Sequence, residues 1–414
     1  MTQQISASSP IIVQKYGGSS LATAERIRNA ARRIAAAHAS GAQVIVVVSA
    51  MGDTTDELLN LAREVSADPP AREMDLLLST GETISAALMA MALGALGLRS
   101  VALTGGQAGI RTDTIHSRAR ITDINPQRLR QELGSDAIPI VTGFQGVNDT
   151  EDVTTLGRGG SDTSAVALAA AVQADRCEIY TDVEGIYTAD PRLVPEARKL
   201  EQVSYEEMLE LAQLGARVMH PRAVELGELY DMPILVASSF VDAPGTLITR
   251  AEHVEVRKNV RGLAHDTDVG KITVTRVPDR PGIAHAIFAP LATAGISVDT
   301  IVQNAGLDSH TDISFTVTRG DVALALPLVE QCAAEMHAGG VSSSENLAKV
   351  SIVGTGMQSA PGFAARMFGC LSDRGINIEM ITTSDIRITC IIERDRVKEA
   401  LEVLHRAFEL DRDA

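Results

Sequence analysis

The segment VQKYGGSS (13–20) is predicted to form the first strand-turn-helix unit of a parallel sheet. An apolar strand ends in Lys15, two glycines follow, and serines lead into the Ala-rich helical run LATAERIRNAARRIAAAHA. Glycines allow backbone N–H groups to approach a phosphate, and a helix N-terminus and a lysine both favour an anion. The alternative is a tight turn with an incidental lysine, but the carboxyl edge of an open α/β sheet is where ligands bind. Because the lysine precedes the glycines, the segment is neither GxxxxGK[ST] nor GxGxxG.

The same alternation of apolar strands and helical runs continues to about residue 245. Near-continuous apolar strands separated by helices predict a largely parallel sheet that is covered by helices on both faces. Residues 119–124 (ARITDI) alternate between apolar and polar side chains, which predicts a hairpin strand at an edge. The apolar segments that follow the first strand are VIVVVSA, VALTG, AIPIVTGF, CEIYTDV and PILVASSF.

The chain repeats itself after residue 245. Five landmark residues within 278–304 recur within 357–383 at a constant offset of 80. Each copy contains a strand, a Pro-Gly turn, a helix, a Gly-Ile pair, two strands and a second helix, which predicts a βαββαβ plan with both helices on one face of a sheet. The polar segment 251–262 is predicted to be a linker, with VRGLAH as an alternative edge strand for one copy. The matched positions are Pro281 and Pro361, Gly282 and Gly362, Phe288 and Phe368, Gly295 and Gly375, and Ile301 and Ile381.

Composition and charge exclude several classes of function. The 414 residues carry a formal net charge of -16, which argues against a nucleic-acid or acidic-membrane binder. Four cysteines lie far apart without a CxxC or HExxH motif, so we expect free thiols in a reducing compartment and no metal site built from protein ligands. The first residues lack the basic and apolar regions of a signal peptide. The longest apolar run, Ile84–Leu98, is short and interrupted and predicts a buried helix. We therefore expect a cytoplasmic protein.

The segment TTLGRGGSDTSA (154–165) contains an arginine, Arg158, among three glycines. Helix capping would explain Ser161 or Asp162 but not the arginine. A guanidinium beside a helix terminus is well suited to bind a carboxylate with two hydrogen bonds. We therefore favour a binding role for this loop over a purely structural one.

Three further segments carry polar side chains whose functional and structural readings compete. In SAMGDTTDELL (49–59) the hydroxyl groups either cap a helix, which is favoured for the segment alone, or bind substrate. Glu82 lies in an otherwise apolar neighbourhood, where it is either a solvated residue at a helix start or a partly buried partner for an ammonium group. In YTDVEGIYTADPR (180–192) turn chemistry explains the Asp and Gly content, whereas Tyr187 and Arg192 are candidates to flank a nucleotide.

The nine histidines show no shared spacing, and we assign none of them a catalytic role. Phosphoryl transfer to a carboxylate needs no general base, because the nucleophile is already ionised at neutral pH. It needs positioning, and cations that offset the repulsion between two anions. Lysine, arginine, loop amides and Mg²⁺ supply these needs.

Taken in order, these segments resemble the aspartate kinase family over nearly the whole chain. The catalytic motifs are KYGGSS, VVSAMGDTTDELL, STGETISAALMA, GFQGV, TTLGRGGSDTSA and YTDVEGIYTADPR, and the repeat resembles paired regulatory ACT domains. The resemblance implies an α/β amino acid kinase fold, a mostly parallel sheet between helices, followed by two βαββαβ ACT domains. The implied boundaries are residues 1–248 for the catalytic domain, 249–262 for a linker or edge strand, 263–340 for the first ACT domain and 341–414 for the second.

The resemblance also implies an activity: ATP- and Mg²⁺-dependent phosphorylation of the β-carboxylate of L-aspartate, the first step toward lysine, threonine and methionine. At matching positions, Lys15 and Asp162 are implied to be catalytic, with Asp162 organising the lysine. Glu82 is implied to face the substrate ammonium, and Arg158 its α-carboxylate. The implied ATP-binding residues are Lys15, Tyr16, Gly17, Gly18, Ser19, Ser49, Thr181, Asp182, Tyr187, Arg192 and Arg217. The implied substrate-binding residues are Ser49, Thr55, Glu82, Arg158, Gly159, Gly160 and Ser161.

In many relatives a lysine stands at the position of Arg217, so the charge is kept and the geometry differs. For the ACT domains the resemblance implies feedback inhibition by lysine, threonine or both. It also implies a homo-oligomer that associates through these domains, in some relatives with a separately translated regulatory fragment. Relatives commonly carry Asn where this chain has Ser297. The implied effector-binding residues are Asp279, Gly282, Ala284, Ser297, Val298, Asp299, Gln303, Asn377 and Ile378.

Two other functions compete with this interpretation. One is a different amino acid kinase, acting on glutamate or acetylglutamate, against which the TGETIS segment and the double repeat count. The other is a non-catalytic amino-acid sensor that keeps the kinase fold as a scaffold. Retention of Lys15, Glu82, Arg158 and Asp162 together argues against that second alternative.

Overall fold

The computed structural model describes residues 9–216, 218–250, 260–304, 309–357 and 361–412. These residues form two compact units. The first contains residues 9–187, 199–213 and 218–250, and the second contains residues 188–198, 214–216, 260–304, 309–357 and 361–412. The segment 188–198 was expected within the catalytic half. It groups with the second unit because Ala189 and Val194 are buried in a hydrophobic cluster of that unit.

The first unit consists of alternating strands and helices. Its strands are β1 (Ile11–Tyr16), β2 (Gln43–Val48), β3 (Ser100–Leu103), β4 (Ile110–Thr112), β5 (Ile121–Ile124), β6 (Ile138–Thr142), β7 (Gln145–Val147), β8 (Val153–Thr155), β9 (Arg176–Thr181), β10 (Gln202–Ser204), β11 (Ile234–Ser238) and β12 (Thr246–Thr249). Its helices are α1 (Gly18–Leu21), α2 (Ala24–Ala39), α3 (Thr54–Val65), α4 (Ala71–Ala95), α5 (Gln127–Gly134), α6 (Gly160–Val172), α7 (Tyr205–Gln213) and α8 (Pro221–Tyr230).

The main sheet has eight strands in the order β10-β12-β11-β9-β1-β2-β6-β3. Only the β11–β12 pair is antiparallel among its described neighbours, so the prediction of a largely parallel sheet is confirmed. In register, Tyr16 lies between Val48 and Tyr180. The carboxyl ends of β1, β2 and β9 therefore meet at one edge, where the loops that follow them converge.

A second, four-stranded sheet with the order β5-β4-β7-β8 lies in the same unit. Strand β5 occupies its end and pairs antiparallel with β4, as the alternation of ARITDI predicts. The sequence did not indicate the short strands β7 and β8, because three residues are too few to show a period of two.

Helix α4 is long and apolar enough to cross a membrane by length and composition alone. In the structure it is a core helix, because Ala86, Met89 and Leu93 are buried against strand residues of the main sheet. Two acidic residues of the same helix, Asp75 and Glu82, are also buried. Each has hydrogen-bond partners on other elements of this unit, so the helix is held by polar contacts as well as apolar ones.

The second unit contains one six-stranded sheet in the order β14-β15-β13-β16-β18-β17. Its strands are β13 (Gly262–Pro278), β14 (Ile301–Gln303), β15 (His310–Val317), β16 (Gly340–Val353), β17 (Met380–Ser384) and β18 (Arg387–Glu393). Its α-helices are α9 (Ile283–Thr293), α10 (Val322–Glu335), α11 (Phe363–Ser372) and α12 (Val397–Ala407).

The two copies of the repeat share their longest strands. The second part of β13 pairs with the start of β16 in the first copy, and residues 262–266 pair with residues 349–353 in the second. The upstream residues 262–266 thus supply the fourth strand of the second copy, so the alternative reading of VRGLAH as an added strand describes the structure. The remaining linker residues, 251–259, lie outside the described part of the chain.

Backbone geometry supports the alignment of the two copies. Gly282 and Gly362 each stand directly before a helix, and their φ angles are positive, at 91° and 105°. Gly295 and Gly375, which end those helices, have φ of 75° and 63°. Such angles are strained for other L-residues, so the four glycines are required at equivalent turns of the two copies.

Candidate active site

A buried ion pair joins the two residues that the sequence marks as catalytic. The Nζ atom of Lys15 lies 2.6 Å from Oδ1 of Asp162, and both residues are buried. Lys15 is near the end of β1, and Asp162 lies in the first turn of α6, where the helix dipole favours a negative charge. The lysine ammonium is therefore held at the carboxyl edge of the sheet.

The two glycines after β1 have different structural roles. The N–H of Gly17 donates to the Tyr180 carbonyl at 3.1 Å, and a Cβ atom on Gly17 would lie 3.5 Å from Nζ of Lys15. A Cβ atom on Gly18 would lie only 2.9 Å from the carbonyl oxygen of Ala50. Close packing of the turn against the loop after β2 therefore requires Gly18, whereas Gly17 borders the ammonium group.

Glu82 is buried in the middle of α4 and is only 3% exposed, so its reading as a solvated residue at a helix start is wrong. Its Oε1 atom accepts a hydrogen bond of 3.0 Å from the N–H of Ala50, just beyond β2. Its Oε2 atom has no hydrogen-bond partner among the described residues. Burial raises the pKa of Glu82 to about 7. A carboxylate oxygen without a partner, in a low-dielectric site, is suited to bind a cationic group.

The loop that carries Arg158 lies between β8 and α6. Arg158 is exposed, and it forms no ion pair within the described part of the chain. Gly159 has φ of 67°, and a Cβ atom there would lie 2.2 Å from Cγ of His220. On the other side of the helix start, a Cβ atom on Gly143 would lie 2.8 Å from Oγ of Ser161. The glycines thus allow this loop to pack tightly while the guanidinium stays available to a ligand.

The structure gathers only some of the predicted nucleotide-binding residues at this edge. Ser49 N–H donates to the Tyr16 carbonyl at 3.1 Å, which places the end of β2 beside β1. Thr181, the last residue of β9, donates from Oγ1 to Oδ1 of Asp182 at 3.1 Å. Tyr187 pairs with Lys199 through an isolated bridge, and burial raises its pKa.

Other predicted residues stand apart or remain untested. Arg192 groups with the second unit, where it is exposed and pairs with Asp190 at 2.7 Å. Thr55 lies in the first turn of α3. Arg217 lies outside the described residues. The described residues contain no group of three or more His, Cys, Asp or Glu side chains placed to hold a metal ion.

Sequence reasoning missed His220. It caps α8 by accepting from the N–H of Arg222 at 3.3 Å, and its ring lies against Gly159. Burial lowers its pKa, so the imidazole is held in its neutral form beside the loop that carries Arg158. The HP dipeptide at the start of α8 is a helix-start signal, but its contact with residue 159 is not visible in the sequence.

Comparison with known proteins agrees with this arrangement. Residues 10–238 match the amino acid kinase family, and residues 271–333 and 350–408 each match the ACT domain. The chain is 50% identical over 408 residues to the aspartokinase of Corynebacterium efficiens, covering 97% of both chains. The chain belongs to the aspartokinase family.

Solved structures of the family have the same fold. E. coli aspartokinase III in complex with aspartate and ADP superposes with a TM-score of 0.81 at 26% identity, covering 96% of this chain and 99% of that one. The same enzyme in complex with lysine and aspartate superposes with a TM-score of 0.78 at 25% identity, with the same coverage. The predicted fold class, an amino acid kinase domain followed by two ACT domains, is confirmed.

The predicted effector residues lie in equivalent segments of the two ACT copies. Gly282 and Ala284 lie at the start of α9, and Asp279 N–H donates to the Ser309 carbonyl at 2.8 Å. Val298 packs against the core of the first copy and Ile378 against that of the second. Three further residues, Ser297, Gln303 and Asn377, are exposed.

Asp299 already has a cationic partner within the chain. It forms an ion pair with Lys349 of the second copy, and Lys271 of the first copy pairs with Glu379 at 2.7 Å. In both cases a lysine of one copy meets an acid of the other, and the acids occupy equivalent positions. Asp299 is implied to bind an effector, and an effector ammonium at this carboxylate would have to displace or join Lys349.

Proposed function

We propose that the chain transfers the γ-phosphoryl group of ATP to the side-chain carboxylate of L-aspartate, with Lys15 as the principal catalytic cation. One observation carries this assignment: near the carboxyl ends of the neighbouring parallel strands β1 and β2, Lys15 of β1 pairs with Asp162 at the start of α6, and the buried Glu82 of α4 accepts from the N–H of Ala50, just beyond β2. The nucleophile is an ionised carboxylate, so the site needs charge and position rather than a base.

Each charged residue has a distinct task in this proposal. Lys15 stabilises the negative charge on the phosphoryl oxygens as the bond to the leaving ADP breaks. Asp162 fixes the lysine at 2.6 Å and so orients its ammonium. Arg158 binds the α-carboxylate of aspartate through two hydrogen bonds, and Oε2 of Glu82 accepts from the α-ammonium. These contacts orient the β-carboxylate toward the phosphate.

ATP enters this site as substrate together with Mg²⁺. The residues at the carboxyl edge fit such a complex, since Asp182 is an exposed carboxylate there and Mg²⁺ prefers oxygen ligands. When bound, the ion neutralises phosphate charge. Lys15 and the backbone N–H groups at the start of α1 are the chain's own contacts with the phosphates, whereas the N–H of Gly17 donates to the Tyr180 carbonyl.

ADP release tested with L-aspartate, L-glutamate and N-acetyl-L-glutamate, with and without Mg²⁺, checks the proposal. We expect turnover with aspartate that requires the divalent cation, and negligible turnover with glutamate. An extra methylene would displace the reacting carboxylate while Arg158 and Glu82 hold the amino-acid end. Comparable turnover with either longer substrate would contradict the assignment.

We also propose that the ACT unit senses an end product, lysine or threonine or both. The duplicated Pro-Gly turns and the acids Asp279 and Asp299 support this, as does the lysine complex of E. coli aspartokinase III. Coupling between the two sites would typically amount to about 1–3 kcal/mol. Activity titrated with each amino acid, alone and together, tests it in the wild-type chain and in Asp279→Ala and Gln303→Ala.

Inhibition that weakens in these variants, with unchanged uninhibited kcat, supports sensing. Indifference to both amino acids at millimolar levels, without a shift in Tm, would leave the ACT unit as an assembly module. We further propose a cytoplasmic homo-oligomer that assembles through these domains. Its association with a separately translated regulatory fragment stays a prediction.

A further inference from the structure

Two charged residues of opposite sign, one buried and one half-buried, each contact the same two segments of the catalytic unit. One segment, residues 116–119, precedes β5. The other, residues 155–156, ends β8 and leads directly into Arg158. Asp75 and Arg222, which approach from α4 and α8, each contact both segments.

Asp75 makes the first link. It is fully buried, at 0% exposure. Its Oδ1 atom accepts from Oγ1 of Thr155 at 2.5 Å, and both carboxylate oxygens lie 3.0 Å from the N–H of Ser117. Nδ1 of His116 lies 2.8 Å from Oδ2. A buried carboxylate that receives this many hydrogen bonds holds its partners in one geometry, because losing any of them exposes it to a desolvation penalty.

Arg222 makes the second link from the opposite side. Its Nη1 atom donates to the Leu156 carbonyl at 3.2 Å, and its Nη2 atom donates to the Ala119 carbonyl at 3.1 Å. The planar fork of the guanidinium spans two carbonyl groups at a fixed separation. Consequently, the residue just before the Arg158 loop is fixed relative to the 116–119 segment.

The loop itself is in contact with both supports. A Cβ atom on Gly157 would lie 3.2 Å from the Ser117 carbonyl oxygen and 3.7 Å from Cα of Arg118. The next glycine, Gly159, lies against His220, two residues before Arg222 on the chain. The backbone before Arg158 therefore lies against the 116–119 segment that Asp75 and Arg222 hold, and the backbone after it lies against His220, in the turn that leads to Arg222.

We propose that Asp75 and Arg222 are positioning residues for aspartate binding, which act by holding the backbone that carries Arg158. Neither is assigned a contact with a substrate. A guanidinium that binds a carboxylate with two hydrogen bonds tolerates little displacement, and a small shift of its backbone weakens both. The inference deepens the proposed function and rests on it, because it concerns how the same site selects the amino acid.

The alternative is that both residues only stabilise the fold. In that case, substitution of either residue would lower Tm and leave the ratio of kcat/KM for aspartate to kcat/KM for ATP unchanged. The positioning role predicts a selective loss for aspartate, since Lys15 and the glycine turn, which are expected to bind ATP, belong to strand β1 and the turn that follows it. The readout that separates the two is therefore kcat/KM for aspartate against kcat/KM for ATP.

The test uses the full chain with Asp75→Asn, Arg222→Gln and the milder Thr155→Val, which removes one hydrogen bond to Asp75. For the first two we expect kcat/KM for aspartate to fall by about tenfold or more, and kcat/KM for ATP to change by less than about twofold. Glu207→Gln is the matched control, because Glu207 is a buried acid on α7 that accepts from the Ser204 N–H. It should lower Tm without a selective loss for aspartate.

Double variants that also carry Arg158→Ala test whether Asp75 and Arg222 act through Arg158. If Asp75 and Arg222 act through Arg158, their variants cost little further kcat/KM for aspartate once Arg158 is absent. Equal losses with and without Arg158, or an unchanged kcat/KM in all three variants, would overturn the inference. If Asp75→Asn fails to fold, Arg222→Gln and Thr155→Val decide by the same criterion. A wild-type chain without aspartate-dependent ADP release would instead overturn the proposed function, and this inference with it.

Discussion

Two buried carboxyl groups of the catalytic unit, those of Asp162 and Glu82, lie in opposite electrostatic surroundings. Asp162 has a lysine ammonium at 2.6 Å, whereas Glu82 receives one hydrogen bond from a backbone N–H. Burial without a compensating cation raises the pKa of Glu82 to about 7. A substrate ammonium would supply that missing charge, so the proposed ligand and the ionised glutamate stabilise each other.

The pKa of Glu82 predicts how stability depends on pH in the absence of ligand. Between its ordinary value of 4.5 and about 7 the folded chain binds the proton more tightly than the unfolded chain. Its contribution to the free energy of unfolding is therefore present below pH 4.5 and is lost as pH rises to about 7. We expect Glu82→Gln to lack this loss, so that its Tm relative to wild type increases between pH 5 and pH 8. A pH-independent difference in Tm would contradict the assigned pKa.

Lys15 and Arg158 should separate in kinetics. Lys15→Met removes charge that matters most as the phosphoryl group transfers, so kcat should fall by about 10²-fold or more with a modest change in KM. Arg158→Ala removes a grip on a part of the substrate that does not react, so the KM for aspartate should rise most. Steady-state kinetics with both substrates varied checks this, and the reverse pattern would exchange the two roles.

At the scale of elements, the turn between β8 and α6 depends on backbone that only glycine adopts without strain. Gly159 combines φ of 67° with the ring of His220 where a Cβ atom would stand. A residue with a side chain at position 159 would therefore bring backbone strain and a steric clash into the loop that carries Arg158. A change here should therefore affect both folding and aspartate binding.

We expect Gly159→Ala to lower the free energy of unfolding by about 1–2 kcal/mol from the left-handed backbone alone, with a further cost from His220. It should also lower kcat/KM for aspartate. Gly94→Ala is the control, because Gly94 lies inside α4 with open space around it. That variant should be stabilised by about 0.5–1 kcal/mol. Urea denaturation measures both, and equal stability of the two variants would refute the argument.

At the scale of the whole molecule, the second unit is built by exchange between its two copies. Residues 262–266 complete the sheet of the second copy, and the pairs Lys271–Glu379 and Lys349–Asp299 cross between copies. The two pairs differ in burial: the side chain of Lys349 is 10% exposed and that of Lys271 is 18% exposed. Burial lowers the pKa of Lys349, so this lysine depends more on its acidic neighbours.

We expect Asp299→Asn to lower Tm more than Glu379→Gln, because it leaves the more buried lysine without its ion-pair partner. The losses in free energy of unfolding should differ between the two variants by on the order of 1 kcal/mol, since Asp299 itself is largely exposed. Adding Lys349→Met should restore part of the loss, because no buried cation then remains unpaired. A double variant that is less stable than Asp299→Asn would contradict this account.

Local sequence patterns predicted the architecture of both halves and the candidate catalytic segments. The strand-helix alternation predicted a parallel sheet, and the offset between Gly282 and Gly362 predicted two equivalent turns. Both follow from local patterns, since backbone preference and burial on one face repeat with the period of the element. Lys15 and Asp162 were predicted to be catalytic because each lies in a long motif at a strand end or a helix start.

The environment of each charged side chain could not be predicted in this way, because it depends on tertiary contacts. That Glu82 is buried with an unpaired oxygen, that Asp299 meets Lys349, and that Asp75 meets Thr155 all depend on residues distant in the chain. Likewise, residues 188–198 joined the second unit and residues 262–266 joined the second ACT copy. Periodicity specifies which face of an element is buried, but the partner across that face is chosen by packing of the whole chain.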